Sequence, residues 1–111
     1  MNVSRVTSEL WIAALRRRLD LEAVPIVIRQ KGDKLAGAIA ISVTNLCGSS
    51  RLFVEAHSLD GERHWIELAS GLDEQIEKAL QRQKKFDNDL WILEVEERGR
   101  IDFYKEFLLS T

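Results

Sequence analysis

The chain has 111 residues, of which 45% are hydrophobic and 31% are charged, and its formal net charge is −2. This length suits a single domain, 1–111, that buries about two-thirds of its unfolded surface without a metal ion or a disulfide. The weak negative charge argues against a general polyanion binder, so we do not expect nucleic acid as a partner. The one cysteine, Cys47, excludes an internal disulfide and fits a reducing compartment.

The N-terminal segment lacks the pattern of a signal peptide. Glu9 precedes the short apolar run and Arg16-Arg17-Arg18 follows it, whereas a signal peptide carries its positive charge first. No apolar run approaches the roughly 20 residues of a membrane-spanning helix. We therefore expect a soluble cytoplasmic protein with no membrane partner.

The first half of the chain predicts one helix and two strands. Apolar residues at helical spacing predict a helix over 8–21, with Thr7 or Ser8 as its N-cap and Pro25 blocking its continuation. Residues 24–29 are rich in β-branched side chains and predict a strand. Residues 38–44 alternate large and small side chains, which predicts a second strand with one well-buried face.

The middle of the chain predicts a β-hairpin. Strands over 52–58 and 63–68 flank Asp60-Gly61, a strong signal for a two-residue turn. If that pair alone forms the loop, Ala56 lies opposite Trp65 and His57 lies opposite His64. Val54 and Ala56 then share one face of the hairpin with Trp65.

The second half predicts a helix that leads into a buried strand. Ser70-Gly71-Leu72-Asp73 resembles a capping box and predicts a helix from there to about residue 85. Residues 90–96 predict a strand with Trp91 in the core, and 101–109 predict a short strand, a helical turn, or both. The order α-β-β-β-β-α-β indicates an α+β two-layer sandwich with a mostly antiparallel sheet.

Several short segments together resemble one family of small bacterial proteins, catalogued as domain of unknown function 1491. The segments are Glu9-Leu10-Trp11, Arg29, Gly32-Asp33, Ala36-Gly37-Ala38, Arg51-Leu52, Trp65 and, most sharply, Phe86-Asp87-Asn88-Asp89-Leu90-Trp91. The family pattern usually has proline where this chain has Asn88. The resemblance spans nearly the whole chain and implies a stand-alone cytoplasmic domain. It implies no reaction, cofactor or catalytic residue.

Two motifs suggest metal sites, and both have simpler interpretations. His57 and His64, with Glu55 nearby, supply at most three zinc ligands, and polar residues beside a hairpin turn are the more frequent explanation. Asp87-Asn88-Asp89 begins like a calcium loop, but that loop also needs a glycine at its sixth position and a glutamate at its twelfth. A helix-to-strand turn explains the segment better.

Three further features have weak functional interpretations. Residues 29–34 begin like the pyrophosphate loop of acetyl-coenzyme A transferases, but Lys34 would crowd the phosphates and a strand follows instead of a helix. Cys47 has no evident activating neighbour in the sequence. Arg16-Arg17-Arg18 could contact phosphates or an acidic partner, although a solvated helix face is the simpler interpretation.

The absence of a catalytic motif favours a binding or assembly domain over an enzyme. We expect a homodimer or a complex with a protein partner, through a sheet face carrying Val54, Ala56 and Trp65. The alternative is a small enzyme or ligand-binding domain whose site forms only in the folded chain. Nucleic-acid binding is the third hypothesis, and it requires Arg51, Arg63 and the helix arginines to gather on one face.

Overall fold

The computed structural model describes residues 6–56 and 61–109. The elements are α1 (Ser8–Leu21), β1 (Ile26–Gln30), β2 (Ile39–Thr44), β3 (Ser49–Ala56), β4 (His64–Leu72), α2 (Asp73–Phe86), β5 (Trp91–Glu96) and a C-terminal π-helix (Tyr104–Leu109). The α+β class and the predicted order of elements are confirmed. Of the alternatives predicted for residues 101–109, the described residues adopt the helical one, in the π-helix Tyr104–Leu109.

The five strands form one mixed sheet in the order β1-β5-β2-β3-β4. β5 runs parallel to β2, and every other neighbouring pair is antiparallel. The parallel pair arises because helix α2 carries the chain across the sheet before β5 begins, which a tight hairpin cannot do. β1 and β4 are therefore the two edge strands.

The two long helices pack on opposite faces of the sheet, which differs from the predicted two-layer arrangement. The main core lies between the sheet and α1 with the C-terminal helix, and it includes Ile41, Trp91, Leu93 and Val95. A smaller core lies between the other face and α2. All six residues of β2 are buried, because its small face lets α2 approach closely. The prediction that Trp91 lies in the core is confirmed.

Helix α2 begins at Asp73, so the prediction of a cap at Ser70 is wrong. β4 continues through Leu72, because residues 70–72 still pair with β3. Gln75 accepts a hydrogen bond from the Leu72 N–H at 3.1 Å, and the Asp73 N–H donates to the Gly48 carbonyl at 3.0 Å. The strand ladder and the β2–β3 hairpin thus replace the capping side chain.

A tightly packed junction joins the β1–β2 loop to the start of β5. The Asp33 N–H donates to the Asp89 carbonyl at 3.0 Å, and the Trp91 indole N–H donates to the Asp33 carbonyl at 2.7 Å. A methyl group on Gly32 would lie 2.8 Å from the Asp89 carbonyl carbon, and one on Gly37 would lie 2.5 Å from the Asp89 oxygen. Three of the segments that resemble the bacterial family, Gly32-Asp33, Ala36-Gly37-Ala38 and residues 86–91, therefore meet at this junction.

Over the described ranges, no helix combines the length and the apolar character that crossing a membrane requires.

Candidate functional site

The register of β3 and β4 separates the residues that the sequence grouped on one face. Trp65 lies opposite Glu55, Ala56 lies opposite His64, and Val54 lies opposite Ile66. This register differs by one residue from the predicted pairing of Ala56 with Trp65, and a one-residue slip moves a side chain to the other face. Val54 and Ala56 therefore share a face with Ile66, whereas Trp65 points to the opposite side. The predicted single surface is wrong.

Trp65 belongs to the main core and is only 6% exposed. Its ring lies 5.1 Å from that of Trp11, in a tilted arrangement that favours aromatic pairs. Its indole N–H has no hydrogen-bond partner within the described residues. Trp65 thus stabilises the contact between β4 and α1 and is not available to a partner.

A buried ion pair lies beside the two tryptophans. Arg63 Nη1 contacts both carboxylate oxygens of Glu55 at 2.9 Å, and both side chains are 4% exposed. Arg63 also donates to the Val6 carbonyl at 2.7 Å and lies 5.8 Å from the Trp11 ring centre. Sequence reasoning missed this pair, because only the true β3–β4 register brings Glu55 to the Trp65 face.

The edge of β4 that faces away from β3 carries exposed apolar side chains. Ile66 is 49% exposed and Leu68 is 42% exposed, and both lie on the last strand of the sheet. A β-bulge at Leu68 interrupts the pairing with β3, because Phe53 pairs with Glu67 while the preceding residue pairs with Ala69. We call Val54, Ala56, Ile66 and Leu68 the β4 patch.

The β4 strand contains few ionisable side chains. Of its nine residues only His64 and Glu67 are ionisable, and the strand contains no lysine, arginine or proline. Arg51 holds Glu67 through two hydrogen bonds of 2.8 and 3.0 Å. Those bonds lower the pKa of the Glu67 carboxyl. Glu67 is therefore paired within the molecule, and the edge is close to neutral.

Three of the arginines that a nucleic-acid surface would need, Arg18, Arg51 and Arg63, are engaged with other groups of the molecule. Arg18 donates to the Glu106 carbonyl at 2.8 Å and lies 4.6 Å from the Phe107 ring centre. Arg51 and Arg63 bind carboxylates on β4 and β3. Each of the three is therefore held by a different partner within the molecule.

A small cleft of about 360 Å³ opens where β2, β3 and β4 meet the segment after β5. Its lining includes Ser49, Arg51, Ser70 and the buried Glu97. One Glu97 carboxylate oxygen, Oε1, accepts the backbone N–H groups of residues 99–101. The cleft offers hydrogen bonds to a small polar molecule. Ser50 in the lining donates its hydroxyl to the Asp73 carboxylate at 2.5 Å. No histidine is among the described lining residues to act as a general base for that hydroxyl.

The sequence motifs for metals and thiol chemistry do not form sites in the described part of the chain. No three potential ligands cluster there, and His57 lies outside the described residues. The Asp89 N–H donates to the Asp87 carboxylate at 2.9 Å, as expected of a helix-to-strand turn. Cys47 is exposed at the β2–β3 turn and does not line the cleft. Residues 29–34 end β1 and enter the junction with β5.

The fold and these surfaces define a small α+β protein with a mixed five-stranded sheet, helices on both faces and no recognisable catalytic centre in its described residues. The sequence profile of DUF1491, a protein of unknown function, matches residues 6–105. The chain belongs to this family, as its motifs predicted. No curated protein shows significant sequence similarity to the chain.

Solved bacterial structures share the whole fold. A crystal structure of a DUF1491 family protein from Caulobacter crescentus CB15 is 31% identical, with a TM-score of 0.78, and the match covers 95% of this chain and 98% of that one. An NMR structure of a DUF1491 family protein from the same organism is 32% identical over 97% of this chain and 100% of that one, with a TM-score of 0.77. A solution structure of an A. tumefaciens protein is 27% identical over 96% of this chain and 97% of that one, with a TM-score of 0.80.

Proposed function

We propose that the protein is an assembly domain that joins a second copy of itself through the free edge of β4. The observation that supports this proposal is a nine-residue edge strand with exposed Ile66 and Leu68 and no lysine, arginine or proline. Edge strands in monomeric proteins commonly carry such residues, because they prevent pairing with another chain. A nearly neutral, apolar edge suits a strand that pairs there.

A two-fold axis at Ile66 gives an arrangement without charge repulsion. Two β4 strands related by this axis run antiparallel, so Ile66 lies opposite its own copy and Glu67 lies opposite Trp65. No carboxylate faces another carboxylate, and like charges directly opposite would be destabilising. The bulge at Leu68 follows this segment and leaves its regular part available.

The other edge of the sheet is less suited to assembly. β1 has only five residues, contains Arg29, follows Pro25 and precedes Lys31. A proline beside the strand and positive charges along it oppose the addition of a long second strand. Assembly through β4 alone would close after two copies, whereas pairing of β4 with β1 would continue into filaments.

The test compares two lysine substitutions at matched positions. Ile66 on β4 and Val27 on β1 are both 49% exposed, both lie on edge strands and both point to the α2 side. Sedimentation velocity at about 100 μM populates any dimer of micromolar affinity. We expect the native protein and Val27→Lys to be dimers and Ile66→Lys to be a monomer. Circular dichroism should show all three folded.

Hydrogen exchange gives a second, local measurement. Raising the concentration of the native protein from about 1 to 100 μM should slow exchange of the β4 amides and leave the β1 amides unchanged. A native monomer at the higher concentration would refute the proposal. So would an equal effect of the two lysine substitutions on the measured mass.

A further inference from the structure

A groove of about 480 Å³ lies between the last turns of α1 and the start of β1. It is separate from the β4 patch, at the opposite edge of the sheet. Its lining combines two basic residues, one acidic residue and the beginning of the edge strand, namely Arg16, Arg17, Asp20, Val24, Pro25 and Ile26.

The end of α1 builds one wall of this groove. Ala23 has a left-handed φ of 56°. Its N–H donates to the Asp20 carbonyl at 3.1 Å, and the Val24 N–H donates to the Leu19 carbonyl at 2.9 Å. This pattern is a Schellman motif, which ends a helix and reverses the chain. The turn leads directly into β1, so the exposed arginines of α1 lie beside the strand edge.

The backbone of β1 presents hydrogen-bonding groups to the groove side. The Glu96 N–H donates to the Pro25 carbonyl at 3.0 Å, so Pro25 faces β5. Successive residues of an antiparallel strand alternate in the direction of their N–H and C=O groups. Ile26 and Ile28 therefore direct both groups away from β5. Because β1 ends the sheet, these groups face the open edge.

Arg16 and Arg17 are available to an outside anion. Both are exposed, and neither forms an ion pair with another described residue. Arg29 and Arg51, in contrast, bind glutamates on neighbouring elements. Asp20 is the one carboxylate among the described lining residues, so these residues carry a net positive charge.

We infer that this groove binds an extended acidic peptide segment, which adds a short strand to β1. Residues directly opposite each other in paired strands point to the same face. Ile26 and Ile28 pack on the α1 side, so the peptide residues paired with them also point toward α1. Two acidic residues spaced two apart would then reach Arg16 and Arg17. Main-chain hydrogen bonds supply affinity, and the guanidinium groups select acidic side chains.

The experiment measures fluorescence anisotropy with a labelled eight-residue peptide that alternates threonine and glutamate. We expect saturable binding to the native protein and no binding of the matching threonine–lysine peptide. Removing both positive charges of the groove, as Arg16→Ala with Arg17→Ala, should weaken binding at least about tenfold. The control removes two exposed arginines elsewhere, as Arg82→Ala with Arg100→Ala, and should leave affinity within about twofold.

Two further ligands distinguish binding by strand addition from nonspecific binding of anions. A peptide N-methylated at alternate residues cannot donate to the β1 carbonyls and should bind at least about tenfold more weakly. A single-stranded oligonucleotide of equal charge should bind more weakly than the acidic peptide. Equal binding of the methylated peptide or the oligonucleotide would show a nonspecific anion surface and overturn the inference. No binding of the acidic peptide at about 1 mM would also overturn it.

The same assay on Ile66→Lys tests whether peptide binding is independent of dimer formation through β4. That substitution alters β4 and leaves the groove intact, so its peptide affinity should match that of the native protein. A loss of peptide binding in a folded Ile66→Lys protein would place the peptide on β4 and refute the groove as its site.

Discussion

Gly32→Ala tests whether the junction between the β1–β2 loop and β5 depends on close backbone contact. Gly32 is not among the glycines with positive φ, so its backbone conformation alone does not exclude alanine. The added methyl group would lie 2.8 Å from the carbonyl carbons of Asp89 and Leu90. Main-chain atoms cannot rotate away as a flexible side chain can, so the loop must move from β5.

The expected loss is about 2–4 kcal/mol of the free energy of unfolding. Overpacking a tight contact costs about 1–3 kcal/mol. Displacing the loop also weakens the hydrogen bond from the Asp33 N–H to the Asp89 carbonyl, which contributes about 1 kcal/mol. At an uncrowded position with the same backbone conformation, glycine to alanine would stabilise by about 0.4–1 kcal/mol. A steric clash at Gly32 therefore predicts a lower free energy of unfolding for Gly32→Ala, whereas an uncrowded Gly32 predicts a higher one.

Urea denaturation measures whether Gly32→Ala lowers or raises the free energy of unfolding. Gly48→Ala is the control, because nothing lies within 4 Å of its added methyl and only its φ of 99° opposes the change, at about 1 kcal/mol. Gly32→Ala combined with Gly37→Ala should lose less than the sum of the single losses, since both methyls press on the Asp89 carbonyl. An unchanged or more stable Gly32→Ala protein would refute the steric explanation.

Four other changes have defined outcomes. Trp65→Glu should unfold the protein or cost more than about 4 kcal/mol, because it places a charge in the main core; circular dichroism and urea titration measure this. Ser70→Ala should change stability by less than about 0.5 kcal/mol, since Ser70 does not cap α2, and a larger shift of the urea midpoint would contradict that. Ala23→Gly should raise the thermal midpoint, because glycine adopts the left-handed φ of 56° without strain. The hydrogen bond from Arg29 lowers the pKa of Glu77 below its ordinary 4.5, so its stabilisation is present above that pH and is lost as the pH falls; the stability gap between native protein and Glu77→Gln should narrow in acid.

The local pattern of the sequence was sufficient for most of the secondary structure. Helical spacing predicted α1 with the observed bounds, and alternation predicted β2 to within one residue. The local pattern did not predict that α1 and α2 lie on opposite faces of the sheet. The small residues of β2 indicated which face was less bulky, but an exposed face and a face covered by α2 both tolerate Ala40 and Ser42. Only the long-range packing of α2 decides between them.

The prediction of the candidate surface depended on the pairing register of β3 and β4. Asp60-Gly61 favours a two-residue loop, which predicts that Trp65 pairs with Ala56. The observed register differs by one residue and pairs Trp65 with Glu55. That shift moved Trp65 into the core and created the Glu55–Arg63 ion pair, which no local motif indicates. The β1 groove depends on the position of α1 relative to the sheet edge, so Arg16 and Arg17 alone could not reveal it.

The insertion of β5 between β1 and β2 sets the order in which the protein can form during synthesis. The β2–β3–β4 meander pairs strands close in sequence, so it can assemble while later residues are still in the ribosome. Ile26 of β1, in contrast, pairs with Val95 near the end of β5. The first strand therefore cannot pair with its partner strand until almost the whole chain has been translated.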